Sequence, residues 1–239
     1  MKKKLIVSGC SWTDKNFISD IHPNLDTSWP KWPEMIAKKL DMECINLGRM
    51  GAGNEYIFST LLDEIICSDN IGLVIAGWTQ CHRKDWRNYG IWYNNARDVN
   101  EGVGINNNDI TSYINKSFRY YYSLQEICKS KKIPLKQFQM LHMFGAYVYD
   151  NPYSNISGDK KDRKKFEILK NIHHSPYFNK INDDFVGWPG DPHLDGYCIR
   201  IKLWEDPEEA KKYTISKADK HPNAKGQEKI AEFIYDRLG

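Results

Sequence analysis

The sequence lacks an apolar run long enough to cross a bilayer, and it lacks the layout of a secretory signal. The basic triplet Lys2 to Lys4 is followed only by Leu5, Ile6 and Val7 before small and polar residues begin. That apolar stretch is far shorter than the core of a signal peptide. We therefore expect a soluble, cytoplasmic protein with no membrane partner.

The sequence also lacks a strong excess of one charge, with 34 basic and 31 acidic residues and a formal net charge of +3. The basic residues are scattered, which argues against a nucleic-acid partner. No internal repeat or linker-like tract divides the chain. Its 239 residues, 41% of them hydrophobic, are enough for one α/β domain, and we expect a single domain over residues 1–239.

Cysteine pairs with C-x-x-C spacing are absent, although there are six cysteines: Cys10, Cys44, Cys67, Cys81, Cys128 and Cys198. Most lie in or beside apolar segments, as expected of buried reduced thiols rather than disulfides or zinc ligands. The stretch Asp191 to Asp195, with His173 and His174 farther off, resembles a metal-ligand cluster. Its proline and glycine neighbours favour a turn, and no metal site is predicted.

The apolar run Leu5 to Val7 predicts a buried strand, and Gly9 gives the backbone freedom that a sharp turn at its end requires. Ser11 then lies just beyond the carboxyl end of this first strand. In an open parallel sheet, ligands bind at that edge. Ser11 is therefore a candidate nucleophile, although a serine after a strand is more commonly a helix cap or a turn residue.

The other end of the chain supplies partners for this serine. Asp219 and His221 precede a terminal amphipathic helix whose apolar residues recur at helical spacing, namely Ile230, Phe233, Ile234 and Leu238. A serine hydroxyl is a poor nucleophile unless a nearby base accepts its proton and an acid holds that base in one tautomer. Ser11, His221 and Asp219 provide this set of groups.

These two segments resemble the first and last motifs of the SGNH, or GDSL-like, hydrolase superfamily. The motifs are short, but the resemblance extends from Lys3 to Leu238. It implies a flavodoxin-like three-layer α/β fold, with a five-stranded parallel sheet and helices on both faces. It also implies ester hydrolysis by a Ser11, His221 and Asp219 triad without a metal or organic cofactor. Cys10 stands where the family has aspartate, and a cysteine nucleophile there is the alternative.

The resemblance further implies an oxyanion hole formed by the backbone N–H groups of Ser11 and Gly51. A glycine leaves room for the close approach that such a donor needs. The family's third donor is an asparagine, but this chain has Thr79 at that position. We expect Thr79 to donate instead, with Asn54 or a water molecule as the alternatives.

The segment from Gly48 to Gly53 also permits a different interpretation. Its glycines lie between a strand and a helix, where a loop can hold phosphate. The spacing is not G-x-G-x-x-G and no G-K-[ST] follows, so the indication of a nucleotide site is weak.

Strands alternate with helices along the chain, which predicts a parallel sheet. We predict strands at Met42–Leu47, Gly72–Ala76, within Leu135–Phe144 and at Phe185–Trp188, and helices from Trp32 to Leu40 and at Glu55–Ile66, Ser117–Lys129 and Lys160–Ile172. Regions 84–112 and 145–216 are expected to form long loops near the active-site edge.

Several tryptophans fall near the predicted edge loops, and three are candidates for substrate binding: Trp12, Trp78 and Trp188. Aromatic faces suit sugar rings as well as acyl chains, so we expect a small acyl ester, carried by a carbohydrate or another small molecule. An acyltransferase would use the same triad. A catalytically silent binding protein of this fold is the other alternative, which the missing asparagine favours.

Overall fold

The structure is a computed structural model that describes residues 2–95, 109–144, 169–170, 172–204 and 206–239. Its centre is a parallel sheet of five strands in the order β2-β1-β3-β6-β7. These strands are β1 (Lys4–Gly9), β2 (Glu43–Asn46), β3 (Ile71–Trp78), β6 (Leu135–Gln139) and β7 (Phe185–Val186). The predicted flavodoxin-like sheet of five parallel strands is confirmed by this strand order.

Helices cover both faces of the sheet. They are α1 (Trp32–Lys39), α2 (Asn54–Cys67), α3 (Asp109–Lys131), α4 (Ile199–Leu203), α5 (Pro207–Ala210) and α6 (Ala224–Tyr235). Helices α2 and α3 pack on one face, and α1 and α6 pack on the other. Within the described ranges, no helix is both long and apolar enough to cross a membrane.

Alternate residues of β1 belong to two different hydrophobic cores. Ile6 packs with α2 and α3, whereas Leu5 and Val7 pack with α1 and α6, and all three are fully buried. A strand covered on both faces carries a continuous apolar run instead of an alternating one. Each such side chain contributes roughly 1.5–3 kcal/mol on burial, so the short run favours a position for β1 inside the sheet, between β2 and β3.

The prediction of a loop over region 84–112 is wrong at its beginning. Strands β4 (Lys84–Asn88) and β5 (Ile91–Asn95) form an antiparallel hairpin. Its two-residue turn has φ values of 47° at Tyr89 and 80° at Gly90, the positive pair that a tight hairpin turn requires. Residues 96–108 of the predicted loop lie outside the described part of the chain.

Region 145–216 likewise contains short helices, α4 and α5, in its described part, so it is not a loop throughout. The predicted helix Lys160–Ile172 lies mostly outside the described residues. Strand β7 is shorter than predicted and ends at Val186, and α3 begins eight residues before the predicted Ser117.

Gly48 lies where the segment after β2 crosses the turn after β1. A Cβ added there would lie 2.7 Å from the backbone carbonyl carbon of Thr13, whereas at Gly77 the nearest atom would be 3.5 Å away. We therefore expect Gly48→Ala to lower the free energy of unfolding by about 1–3 kcal/mol through overpacking. Gly77→Ala, the matched control, should change it by less than about 1 kcal/mol. Urea unfolding followed by tryptophan fluorescence measures both; equal losses would contradict this account of the loop contact.

Candidate active site

Ser11 lies in a tight turn that directly follows β1. The carbonyl oxygen of Cys10 accepts hydrogen bonds from the backbone N–H groups of Thr13 at 2.8 Å and Asp14 at 3.1 Å. A Cβ on Gly9 would lie 2.2 Å from Thr13 Oγ1. Gly9 is therefore required for space and not for an unusual backbone angle, which refines the sequence-based explanation of this residue. The turn leaves Ser11 only 7% exposed.

Two hydrogen bonds connect Ser11, His221 and Asp219 in a line. His221 Nε2 lies 2.9 Å from Ser11 Oγ, and His221 Nδ1 lies 2.6 Å from Asp219 Oδ1. Because a carboxylate only accepts, Nδ1 carries the proton and Nε2 is left to accept the serine proton. This arrangement has the connectivity of a nucleophile, a general base and an orienting acid.

The loop that carries the base is fixed on both sides. Asn223 caps α6 by accepting a hydrogen bond from the Gly226 N–H at 3.0 Å. The backbone N–H of Ile215 donates to the His221 carbonyl oxygen at 2.9 Å, and the Asp219 N–H donates to Ser216 Oγ at 2.9 Å. The imidazole therefore has a supported backbone, as a positioned base needs.

Asp219 is 3% exposed and has its own set of donors. Burial raises the pKa of Asp219, but hydrogen bonds from Ser19 Oγ and from the backbone N–H and ring of His221 outweigh burial, so the pKa lies below its ordinary value. Asp219 is therefore ionised at neutral pH. Phe17 packs against the His221 ring with centroids 4.4 Å apart and limits the ring's freedom to turn.

Cys10, the alternative nucleophile, is fully buried in the core beneath α1 and α6. Its side chain has no exposed surface, and a buried thiol is a poor nucleophile. Ser11 is the residue of this turn whose side chain reaches the histidine.

The backbone at Met50 and Gly51 is held next to the nucleophile turn by Asp14. The Met50 N–H donates to Asp14 Oδ2 at 2.7 Å, and Gly51 has a φ of 78°, a conformation that favours glycine. Among the described residues, the N–H groups of Ser11 and Gly51 have no acceptor. Free N–H groups of this kind are what an oxyanion hole requires.

Thr79 and Asn54 must be corrected as candidate oxyanion donors. Thr79 is fully buried, and its Oγ1 has no hydrogen-bond partner in the described structure. The Asn54 amide is also buried: its Oδ1 accepts from the Thr79 N–H at 2.9 Å, and its Nδ2 donates to Ser117 Oγ at 3.0 Å. The Asn54 side chain therefore joins the end of β3 to α3, and neither side chain is exposed to a substrate.

The three candidate tryptophans lie in different surroundings. Trp78 is fully buried, and its Nε1 donates to Gln137 Oε1 at 3.0 Å, so its assignment to substrate binding is corrected. Trp188 follows β7 and packs against Phe118, with β3 and β6 between its strand and β1. It is therefore not brought to Ser11. Trp12 adjoins Ser11 and lines a cleft of about 410 Å³.

Asp85 was not recognised from the sequence, and it bears on the nucleotide interpretation. Its carboxylate accepts hydrogen bonds from the Gly53 N–H at 2.8 Å and the Tyr56 N–H at 2.9 Å. Burial raises the pKa of Asp85, and these N–H groups only partly offset that effect. Because this carboxylate occupies the amino terminus of α2, where a phosphate would bind, the nucleotide alternative is not supported.

The metal-ligand interpretation of Asp191 to Asp195 also gains no support. Asp191 is 1% exposed, and one of its carboxylate oxygens lies 3.2 Å from His142 Nε2. Among the residues that the structure describes, no three metal-ligating side chains form a group able to hold an ion.

The chain matches no protein-family model, and no curated protein was found to match it. Solved structures with a similar fold include the psychrotrophic esterase EstA from Pseudoalteromonas sp., 11% identical over 99% of this chain and 96% of that chain, with a TM-score of 0.47. A member of the lipolytic protein G-D-S-L family from Veillonella parvula DSM 2008 is 12% identical over 98% and 97%, with a TM-score of 0.45.

A carbohydrate esterase family 2 enzyme from Corynascus thermopiles is 14% identical over 100% of this chain and 67% of that chain, with a TM-score of 0.42. The fold assignment itself rests on the strand order given above, and the site assignment on the distances between Ser11, His221 and Asp219.

The hydrogen bond from Ser19 to Asp219 makes stability depend on pH. Because the folded-state pKa of Asp219 is lowered, its hydrogen bonds stabilise the fold above the ordinary value of 3.8, and this contribution is lost as pH falls through the folded-state pKa. Ser19→Ala should cost roughly 1.5–3 kcal/mol at neutral pH and less in acid.

Urea unfolding at a series of pH values tests this expectation. Ser19 Oγ also accepts from the His22 N–H, so a pH-independent remainder is expected. Ser130→Ala, which removes only a bond to the Ile127 carbonyl, is the control and should show a small effect that does not vary with pH. If Ser19→Ala lowered the free energy of unfolding by the same amount at every pH, the hydrogen bond from Ser19 would not be what lowers the pKa of Asp219.

The burial of Thr79 predicts that its hydroxyl is dispensable. Valine has nearly the same shape and lacks the unpartnered oxygen, so Thr79→Val should leave kcat within about twofold and raise stability by about 1 kcal/mol. Ester turnover and urea unfolding measure the two effects. A fall in kcat of about a hundredfold would restore Thr79 to the oxyanion hole.

Proposed function

We propose that the chain is a serine esterase or deacylase that hydrolyses a small acyl ester. The observation that carries this proposal is the line of two hydrogen bonds from Ser11 Oγ through His221 to Asp219, at 2.9 Å and 2.6 Å. The buried, ionised Asp219 supports the assignment, because it favours the histidine tautomer that accepts a proton from serine.

In the proposed reaction, Ser11 Oγ attacks the ester carbonyl carbon while His221 Nε2 takes the serine proton. The oxyanion that forms is stabilised by the N–H groups of Ser11 and Gly51. Collapse of this intermediate breaks the bond to the alcohol, and His221 returns the proton to the departing oxygen. Water, activated by the same histidine, then releases the acid from the acyl-enzyme and regenerates Ser11.

The cleft at Trp12 is proposed to hold the substrate. Trp204 meets Trp12 edge to face, with centroids 4.6 Å apart, and both rings line the cleft. A space of about 410 Å³ fits a small ester, including one on a single sugar ring, better than a long acyl chain. An acyltransferase would use the same residues with a sugar hydroxyl in place of water, and product analysis separates the two reactions.

The proposal is tested by reaction with a fluorophosphonate. Ser11 Oγ should displace fluoride, so that intact-mass spectrometry finds one adduct on the wild-type protein and none on Ser11→Ala. Cys10→Ala, the control at the neighbouring position, should still be labelled. An adduct that persists in Ser11→Ala but disappears in Cys10→Ala would move the nucleophile to the cysteine.

Turnover of short 4-nitrophenyl esters completes the test. His221→Ala should lower kcat by about 10⁴ to 10⁶-fold if the residue belongs to a working triad. His174→Ala, an exposed histidine whose ring contacts only a backbone carbonyl in the described structure, should leave kcat unchanged. Absence of both labelling and turnover in the wild-type protein would favour the catalytically silent alternative.

A further inference from the structure

The cleft at Trp12 is lined by aromatic, small and basic side chains. The lining residues are Trp12, Arg200, Ile201, Trp204, Ala210, Thr214 and Lys220. Trp12 follows Ser11 directly, and Lys220 lies between Asp219 and His221 in the chain. Two chain neighbours of the triad therefore line the cleft, which we take as the place where the proposed ester would bind, and its described lining includes two cations and no carboxylate.

Arg200 and Lys220 have no anionic partner in the described part of the chain. No carboxylate oxygen there lies within 4 Å of the charged nitrogens of either side chain, and neither charged group donates a hydrogen bond to a described residue. The backbone of Arg200 is held in position, because its N–H donates to the Met140 carbonyl oxygen at 3.1 Å. This hydrogen bond fixes the start of α4 beside the end of β6.

Four described carboxylates close in sequence to the cleft residues are already engaged. Asp219 accepts from Ser19 and His221, and Glu209 pairs with Lys229 at 3.4 Å. Asp206 accepts from the backbone at the start of α5, and Glu208 pairs with Lys211. They therefore leave Arg200 and Lys220 available to an incoming anion.

Arg83 adds a third cation behind this edge. Its Nη1 donates to the Ala52 carbonyl oxygen at 3.1 Å and its Nε donates to Gln80 Oε1 at 3.0 Å, so it joins the segments that follow Gly51 and Thr79. Burial lowers the pKa of the Arg83 guanidinium, Cys10 and Asp85 raise it, and Arg200 lowers it further. An arginine remains charged at neutral pH even so, and Arg83 therefore adds positive charge inside the protein behind this edge.

We propose that this cleft binds a negatively charged oxygen group of the substrate, so that the preferred ester carries a carboxylate, or a group of like charge, within reach of Arg200 and Lys220. This inference rests on the proposed function, because it concerns the same site. The guanidinium fork of Arg200 matches a carboxylate in shape, and the rings of Trp12 and Trp204 hold the apolar part of the ligand.

Binding to the Ser11→Ala variant tests the inference without turnover. The probes are mono-4-nitrophenyl glutarate, which is anionic, and its methyl ester, which is neutral and otherwise the same. Isothermal titration calorimetry should show that the anion binds about five- to tenfold more tightly, and that added salt reduces this preference. Arg200→Gln in the same background should lower the preference to about twofold or less, and Arg200→Lys should keep part of it.

Lys220→Gln should also reduce the preference, and it serves as the second variant. Lys217→Gln is the matched control, because Lys217 is an exposed lysine on the same loop that does not line the cleft, and the full preference should remain. Equal binding of the two probes, or a preference that survives both Arg200→Gln and Lys220→Gln, would overturn the inference. If Ser11→Ala prefers the anion while the wild-type protein hydrolyses neither probe, the proposed function fails and the anion site stands.

Discussion

The hydrogen bond between His221 and Ser11 joins residues 210 positions apart, and the arrangement of the whole sheet determines whether it can form. Ser11 follows β1, which lies inside the sheet between β2 and β3. His221 precedes α6, which packs against β1 through Ile230 and Ile234. Since an added methyl or a shift of about 1 Å in this packing would separate base and nucleophile, the core on this face has to be specific and not merely apolar.

Hydrogen bonding at the carboxyl edge of the sheet follows a consistent division. Carboxylates of the chain itself hold the loops: Asp14 binds the Met50 N–H, Asp85 binds the amino terminus of α2, and Asp219 binds His221. Backbone N–H groups at Ser11 and Gly51 are left without an acceptor among the described residues. An unpaired donor is costly in a folded protein unless water or a ligand accepts its hydrogen bond. These two N–H groups therefore mark the part of the edge that can bind a ligand.

The predictable parts of the molecule are those that local patterns determine. The runs in β1 and β3 are continuous and apolar because both faces of the sheet are covered, whereas the hairpin was missed because most of Lys84 to Asn88 is exposed and only its turn is distinctive.

The triad residues could be proposed from short motifs. The supporting residues Asp14, Ser19 and Asp85 could not, because their partners are 36, 200 and 29–32 positions away. The expectation for Thr79 failed because a residue at a strand end can face either side, and here it faces the core.

In the proposed reaction, the missing third oxyanion donor and the basic cleft would affect different stages of catalysis. An oxyanion donor acts on charge that exists only in the transition state, so its absence lowers kcat. Arg200 and Lys220 would contact a charge that the substrate carries from the start, and binding of that kind is equal in the ground state and the transition state. It therefore lowers KM without raising kcat. If both proposals hold, selectivity for a charged substrate would come from its capture more than from the rate of the chemical step.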